Sequence, residues 1–290
     1  MLEKAVERPG LLAQLETALE RKLTLVQAPA GFGKTTFALS CRHMMEKNGI
    51  SVAWLNIDRL DADPARFLRY VVEAVRKVEP DLINDQEIAF EQSGPSLIQN
   101  MSVEFINGLA ATDREICVAI EDLHLIGDDA ASLQILAFLI ERSSANVRFL
   151  VTSRLRPKLP LSRLRVARNL TLINARDLRL DEDEARSFLQ NVWELDVTCE
   201  EAASLWRSTD GWLAALQLAA LSMRGEAGAA RYRLQSAVAI GMADNVGEYL
   251  AENVFDTLPE DTLNFLLKTS ILQRLSSDLC DAVCGHSGSQ

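Results

Sequence analysis

Three features are missing from this 290-residue sequence, and each absence argues against a class of protein. There is no long apolar run, since the longest, 213–223, contains Gln217 and Ser222 and is too short to span a bilayer. There is no excess of positive charge, and a formal net charge of −11 argues against a surface that binds nucleic acid throughout. The first residues lack the apolar core of a signal peptide.

Cysteine is also scarce, with five scattered residues. An odd number without a regular spacing does not form a disulfide framework, so we expect a reducing, cytoplasmic compartment. Cys280, Cys284 and His286 have a spacing that metal ligands can adopt, but the chain offers no second ligand pair. One turn of an amphipathic helix followed by a frayed tail is the favoured interpretation.

The most informative segment is 28–36, which reads A-P-A-G-F-G-K-T-T and is a phosphate-binding loop. An apolar strand precedes it and an amphipathic run follows it, which is the context that the motif needs. Ala28 replaces the usual first glycine, a change that the loop tolerates if this residue keeps a negative φ. The alternative is a glycine-rich turn with no ligand.

The loop residues predict a site for ATP or ADP with Mg²⁺. Glycines allow the backbone to approach the phosphates, and successive N–H groups form an anion cradle at a helix N-terminus. Lys34 is expected to contact the β- and γ-phosphates, Thr35 to ligate Mg²⁺ and Thr36 to lie near the α-phosphate. The predicted cradle consists of Ala30, Gly31, Phe32 and Gly33.

A second half of the site is predicted where the apolar run 116–120 ends. Glu121 and Asp122 follow it directly, in the form of a Walker B motif. Carboxylates suit Mg²⁺, and a second carboxylate can orient the attacking water. The usual order has aspartate first, so Glu121 puts Mg²⁺ coordination, hydrolysis or both in question. A solvated acidic pair is the alternative.

The strand predicted at 147–151 ends in Thr152, Ser153 and Arg154. In P-loop ATPases whose additional strand lies between the Walker A and Walker B strands, this tip points to the γ-phosphate. Arg154 is therefore a candidate for sensing that charge, with an ordinary surface arginine as the alternative. The basic residues after it, up to Arg168, carry no interleaved aromatics, which favours a solvated face or an interdomain contact over a nucleic-acid site.

Alternating strands and helices over the first 175 residues predict a doubly wound α/β sheet. From Asp181 onward the patterns are helical, with Asp181 and Thr198 as helix caps. Further helices are predicted at 212–223, 245–255 and 259–268. The last helices have no evident closing partner, so we expect a piece of a longer protein.

Together these segments resemble the MalT-like signal-transduction ATPases with numerous domains, large ATP-binding regulators of the LuxR type. The resemblance runs from about Arg8 to Leu272 and is carried by the phosphate loop with V-A-W-L-N-I-D, D-P-A-R-F-L-R-Y, A-I-E-D-L-H-L-I, V-T-S-R and D-G-W-L-A-A-L-Q-L-A-A-L. It implies a P-loop NTPase sheet of the ASCE/AAA-like type at 1–178, an all-α helical domain at 179–240 and the start of a winged-helix domain at 241–290.

The resemblance also implies roles. Arg8 and Pro9 would lie near the adenine, and Lys34 and Thr35 would hold phosphate and Mg²⁺. Arg154 would sense the γ-phosphate. Glu121 falls where the family has its first Walker B aspartate. ADP would stabilise a closed monomer, whereas inducer and ATP would favour an open form that self-associates, and slow hydrolysis would reset it. DNA would be read by a C-terminal domain absent from this chain, and no membrane is involved.

Three other functions are kept open. A work-performing AAA+ or helicase-type ATPase needs fast turnover and an arginine finger near a strand end, for which the sequence offers no convincing candidate. A P-loop kinase needs an arginine-rich lid, whereas the helices after Asp181 are too apolar and too many. A structural clamp without turnover is compatible with Glu121.

Overall fold

A five-stranded parallel sheet organises the first part of the chain. The computed structural model describes residues 8–82, 95–128, 130–225, 249, 258, 260–272 and 274–285. The strand order is β2-β3-β4-β1-β5. The strands are β1 (Leu23–Gln27), β2 (Ser51–Asn56), β3 (Ile116–Glu121), β4 (Val147–Ser153) and β5 (Leu170–Asn174). The predicted doubly wound sheet is confirmed.

Strand β4 is inserted between β1 and β3. It pairs in parallel with β1, where Gln27 lies opposite Ser153, and with β3, where Ile120 lies opposite Val151. All strands are parallel, so their carboxyl ends meet at one edge. The strand order expected of ASCE-type P-loop proteins is therefore present, and it brings the tips of β1, β3 and β4 together.

Helices connect the strands and continue after the sheet. Those between the strands are α1 (Pro9–Glu20), α2 (Lys34–Lys47), α3 (Pro64–Val78), α4 (Pro95–Ala110), α5 (Ala131–Arg142) and α6 (Leu161–Val166). Those after β5 are α7 (Ala175–Leu178), α8 (Glu182–Ser187), α9 (Cys199–Thr209), α10 (Leu213–Gly225), α11 (Glu260–Thr269) and α12 (Ser277–Cys284). All the described secondary-structure elements that begin after residue 181 are helices, as predicted. Of the helix predicted at 245–255, residue 249 is the one described residue, and it is helical.

The sheet is covered on both faces, which explains why its central strands are apolar without alternation. All six residues of β3 are buried. One core cluster packs apolar residues of α3, α4 and α5, such as Phe67 and Leu136, against β1, β3 and β4. A second cluster packs residues of α2, such as Phe37 and Met45, against the other face.

Side-chain caps fix the starts of the helices that the sequence marks. Asp181 accepts from the N–H of Glu184, whose carboxylate accepts from the N–H of Asp181 at 3.1 Å. Thr198 and Glu201 form the same reciprocal arrangement at α9. Both capping boxes predicted from the sequence are confirmed, and each satisfies N–H groups that a helix start leaves unpaired.

The chain divides into two compact units, Met1–Leu216 and Gln217–Gln290. The domain boundaries predicted after residues 178 and 240 stay predictions, and residue 240 lies outside the described part. Among the described residues, no helix is long and apolar enough to cross a bilayer.

All five cysteines are free thiols. Cys280 and Cys284 are buried on α12, whose first residue follows the cap Ser276. No cluster of metal-ligating side chains occurs among the described residues, and His286 lies outside them.

Candidate functional site

The loop between β1 and α2 has the backbone geometry of an anion cradle. Gly31 and Gly33 have φ of 77° and 78°, and Gly33 is the residue before the first turn of α2. Left-handed residues between ordinary ones turn successive N–H groups toward one point, which is how backbone nests bind phosphate. Ala28 is not among the residues with positive φ, so the loop can accept alanine where the motif usually has its first glycine.

Lys34 is held within this loop. Its side chain is buried, with 8% of the residue exposed, and its ammonium donates to the carbonyl oxygen of Pro29 at 2.9 Å. Burial lowers the pKa of Lys34 and Arg154 adds to this, while Asp122 and Glu121 raise it. An anion at the loop would favour the charged form of Lys34 and so oppose the effect of burial on its pKa.

The predicted metal-binding pair is brought together. Glu121 is the last residue of β3 and is buried, and its carboxylate accepts a hydrogen bond from the Thr35 hydroxyl in the first turn of α2. Two hard oxygen donors in contact fit a Mg²⁺ site. Thr36 is exposed on the next position of the same turn.

Asp122 adopts a left-handed backbone conformation, with φ of 56°. A residue with a side chain reaches this region at a cost of about 1 kcal/mol, so such a conformation needs support from its surroundings. The support here is a hydrogen bond from the Asp122 N–H to the Thr152 hydroxyl oxygen, at 3.0 Å. This bond links the tips of β3 and β4 and leaves the Asp122 side chain 43% exposed.

His124 is a site residue to which the sequence analysis assigned no role. Its Nδ1 accepts from the backbone N–H of Arg154 at 3.4 Å and lies 3.8 Å from Asp122 Oδ1. Burial lowers the pKa of His124 to about 4; Arg154 and Lys34 act in the same direction and Asp122 opposes them. The sequence does contain a signal for this site residue, because His124 interrupts the otherwise apolar run 123–126.

Lowering the pH from 7 to 5 is expected to destabilise the protein through His124. The pKa in the folded state lies below the ordinary value of about 6.5, so unfolding takes up a proton in this range. Stability is therefore full above pH 6.5 and falls toward pH 4, by at most about 1.4 kcal/mol per pH unit for one group. Urea unfolding at pH 5, 6 and 7 measures this slope.

The variant His124→Gln should show a flatter dependence than the unaltered protein. The matched control is His43→Gln, because His43 is exposed on α2 and its replacement should leave the slope unchanged. Equal slopes for His124→Gln and the unaltered protein would contradict the assignment.

Arg8 lies beside the segment that follows β5. Its guanidinium donates to the carbonyl oxygens of Arg179 at 2.6 Å and Asp177 at 3.3 Å, and pairs with the Glu184 carboxylate at 3.2 Å. Pro9 is the first residue of α1. These contacts tie the start of α1 to α7 and α8, and the predicted role of both residues at the adenine stays a prediction.

The segment 211–214 contacts the phosphate loop from outside. The Trp212 indole donates to the Ala30 carbonyl oxygen at 3.2 Å, and the Ala214 N–H donates to the Gly31 carbonyl oxygen at 3.0 Å. The rings of Phe32 and Trp212 have centroids 6.3 Å apart. The structure thus brings the loop, Glu121, Asp122 and Arg154 to one edge of the sheet and adds Trp212 and His124 to them.

Comparison with known proteins shows which sequences and folds this chain resembles. Residues 251–290 match the family model of the MalT winged helix domain. The chain is 28% identical over 289 residues to the HTH-type transcriptional regulator MalT of Cronobacter sakazakii, covering 100% of this chain and 31% of that protein. It is 36% identical over 280 residues to the serine/threonine-protein kinase PknK of Mycobacterium tuberculosis, covering 97% of this chain and 25% of that protein.

The chain thus spans about a quarter to a third of the length of these relatives. Among solved structures, the Aeropyrum pernix ORC1 protein in complex with DNA matches with a TM-score of 0.51 at 15% identity, covering 97% of this chain and 78% of that one. A likeness at this level supports the fold alone. In sequence the chain is therefore MalT-like over its whole length, with a parallel sheet of the P-loop type, helices after it and a match to the MalT winged helix domain at residues 251–290.

Proposed function

We propose that this chain is the ATP- and ADP-binding switch module of a signal-responsive transcription regulator. The observation that carries the proposal is the phosphate loop, in which Lys34 lies buried beside two left-handed glycines. Glu121 and Thr35 lie in contact at the same edge of the sheet. Residues of this kind in this order bind nucleoside phosphates with Mg²⁺.

The relatives favour a regulatory role for this chain over a role in reading DNA or in phosphorylating protein. One relative is named a transcriptional regulator and another a protein kinase, yet nearly the whole of this chain matches both. A segment common to proteins with such different names is better explained as a control module that each of them uses. Specific activities would then belong to other parts of those chains.

Thr35 and Glu121 would hold Mg²⁺, and Lys34 would contact the phosphates beside it. Bound Mg²⁺ neutralises phosphate charge and polarises the terminal phosphoryl group. Asp122 would orient the attacking water, and Arg154 would face the charge of the terminal phosphate. Glu121 is one methylene longer than the usual aspartate, so we propose slow hydrolysis.

Slow hydrolysis suits a switch. An ADP-bound closed form would persist until inducer and ATP favour an open form that self-associates, and hydrolysis would reset the protein. Nucleotide can shift this equilibrium only if it binds the two forms with different affinity. DNA would be bound by a further domain of the whole regulator, in the cytoplasm.

The nucleotide retained by the purified protein tests the proposal. We expect stoichiometric ADP in the supernatant after denaturation, separated on an anion-exchange column, because a closed form releases ADP slowly. An empty site that binds neither ATP nor ADP at millimolar concentration would contradict the proposal.

Replacing Glu121 with glutamine should separate hydrolysis from binding. Glu121→Gln removes the charge that would hold Mg²⁺, whose charge stabilisation is worth several kcal/mol, so we expect ATP turnover to fall by about 100-fold or more. Affinity for ADP without Mg²⁺ should change less, because the loop and Lys34 are intact. Single-turnover hydrolysis and equilibrium dialysis measure the two quantities.

The control for this substitution is Glu104→Gln, since Glu104 is exposed on α4 and its replacement should change neither turnover nor affinity. Turnover of Glu121→Gln equal to that of the unaltered protein would place catalysis elsewhere. Undetectable turnover in the unaltered protein with tight ADP would favour the structural clamp, and turnover of many per second would favour a work-performing ATPase.

A further inference from the structure

Two carbonyl groups of the phosphate loop accept hydrogen bonds from Trp212 and from the first turn of α10, which follows it. The Ala30 carbonyl oxygen accepts from the Trp212 indole at 3.2 Å, and the Gly31 carbonyl oxygen accepts from the Ala214 N–H at 3.0 Å. These residues are more than 180 positions apart in the chain, so the contact is made by the fold and not by local structure.

Each of these bonds also sets the direction of an N–H group. A peptide unit is planar and trans, so the carbonyl of one residue and the N–H of the next point in opposite directions. Fixing the Ala30 carbonyl therefore fixes the Gly31 N–H, and fixing the Gly31 carbonyl fixes the Phe32 N–H. Both N–H groups belong to the cradle that phosphate would occupy.

We propose that Trp212 and the first turn of α10 form an outer clamp that pre-organises the phosphate loop, which makes Trp212 a positioning residue for the phosphates of the nucleotide. The proposal rests on nucleotide binding as the function of the loop. The clamp would make the cradle N–H groups point to the anion site before a ligand arrives. Less conformational entropy of the loop is then lost on binding.

The clamp is close-packed as well as hydrogen-bonded. A Cβ at Gly33 would lie 3.0 Å from a methyl carbon of Leu213, so the loop and the start of α10 are already in van der Waals contact. The Phe32 and Trp212 rings lie side by side with a tilt of 31°. This packing restricts how the loop peptides can rotate.

The dependence runs both ways. The first N–H groups of a helix have no partner within the helix, and Gly31 supplies an acceptor for the one at Ala214. A phosphate that holds the loop peptides in place should therefore also protect the Ala214 N–H. Ligand binding at the loop and ordering of the first turn of α10 are then thermodynamically coupled, so each favours the other.

The test is Trp212→Phe, which keeps an aromatic ring and removes the indole N–H. Affinity is measured by calorimetry with two probes, ADP and inorganic tripolyphosphate, the second of which has no base. We expect both affinities to fall by about 3- to 10-fold, the effect of losing one hydrogen bond. A loss for ADP with none for tripolyphosphate would assign Trp212 to the base and overturn the proposal.

The matched control is Trp54→Phe. Trp54 also donates its indole N–H to a carbonyl oxygen, that of the Asn56 side chain at 2.8 Å, so it loses the same kind of bond on β2, away from the loop and from Gly211. Its affinity for both probes should stay within about 2-fold of the unaltered protein, well below the loss of a hydrogen bond to the loop. Equal losses for the two variants would show a general loss of stability and overturn the proposal.

Hydrogen exchange gives a readout that does not depend on a substitution. Tripolyphosphate should slow exchange at the Ala214 N–H in the unaltered protein and less so in Trp212→Phe. No slowing in a protein that does bind the probe would overturn the clamp and leave nucleotide binding intact. Failure of the unaltered protein to bind either probe would instead overturn the proposed function.

Discussion

Replacing Lys34 with methionine is expected to lower the affinity for ATP and ADP by about 100-fold or more. The ammonium would donate charge-assisted hydrogen bonds to phosphate oxygens from a largely buried position, and each such bond is worth about 1.5 to 3 kcal/mol. Methionine has a similar length and no charge, so the loss reports the charge rather than the shape. Equilibrium dialysis with radiolabelled nucleotide measures it.

Stability should respond differently from affinity in this variant. Burial lowers the pKa of Lys34, so the folded protein without ligand bears a cost for keeping this group charged. We therefore expect Lys34→Met to unfold in urea at the same concentration as the unaltered protein or at a higher one. The control is Lys47→Met, because Lys47 is exposed at the other end of α2 and its loss should not change affinity. Equal affinities for Lys34→Met and the unaltered protein would contradict phosphate binding at this loop.

Replacing Gly211 with alanine is expected to destabilise the first unit by about 3 kcal/mol or more. Gly211 has φ of 69°, where a side chain alone costs about 1 to 2 kcal/mol. An added Cβ would also lie 2.2 Å from the carbonyl oxygen of Leu180, so the backbone has to move. That movement breaks the bond between the Leu180 N–H and the Gly211 carbonyl oxygen, which measures 3.0 Å.

The variant Gly49→Ala separates the cost of the positive φ from the cost of the close approach to Leu180. Gly49 has φ of 79°, but a Cβ there would meet no atom within 4 Å, so only the backbone strain of about 1 kcal/mol applies. Thermal unfolding should show a midpoint about 6 °C or more lower for Gly211→Ala and about 2 to 4 °C lower for Gly49→Ala. Equal shifts would mean that the close approach to Leu180 is not maintained in solution.

Much of the sheet could be predicted because its signals are local. The buried run 116–120, the glycines of the phosphate loop and the caps at Asp181 and Thr198 each report on their own few residues. The position of β4 between β1 and β3 followed from the kind of P-loop protein that the motifs indicated, and the strand order confirms it.

The contacts that complete the site could not be read in this way. For Trp212 the sequence predicts only the start of a helix, and its bond to Ala30 joins segments with no pattern in common. The anchoring of Arg8 by the carbonyls of Asp177 and Arg179 is equally remote in sequence. Periodicity describes which face of an element is buried, whereas these contacts depend on how separate elements pack.

The inserted strand has a consequence for how the site can vary. Because β4 separates β1 from β3, the strand that leads into the loop and the strand that carries Glu121 are two strand spacings apart, about 10 Å. The span between the phosphate loop and Glu121 is therefore set by the width of the sheet, and Thr35 bridges it through a direct contact with Glu121. Backbone hydrogen bonds fix the spacing of the strands, so substitutions at Phe149 or Leu150 would change how the helices pack on the two faces and leave this span unchanged.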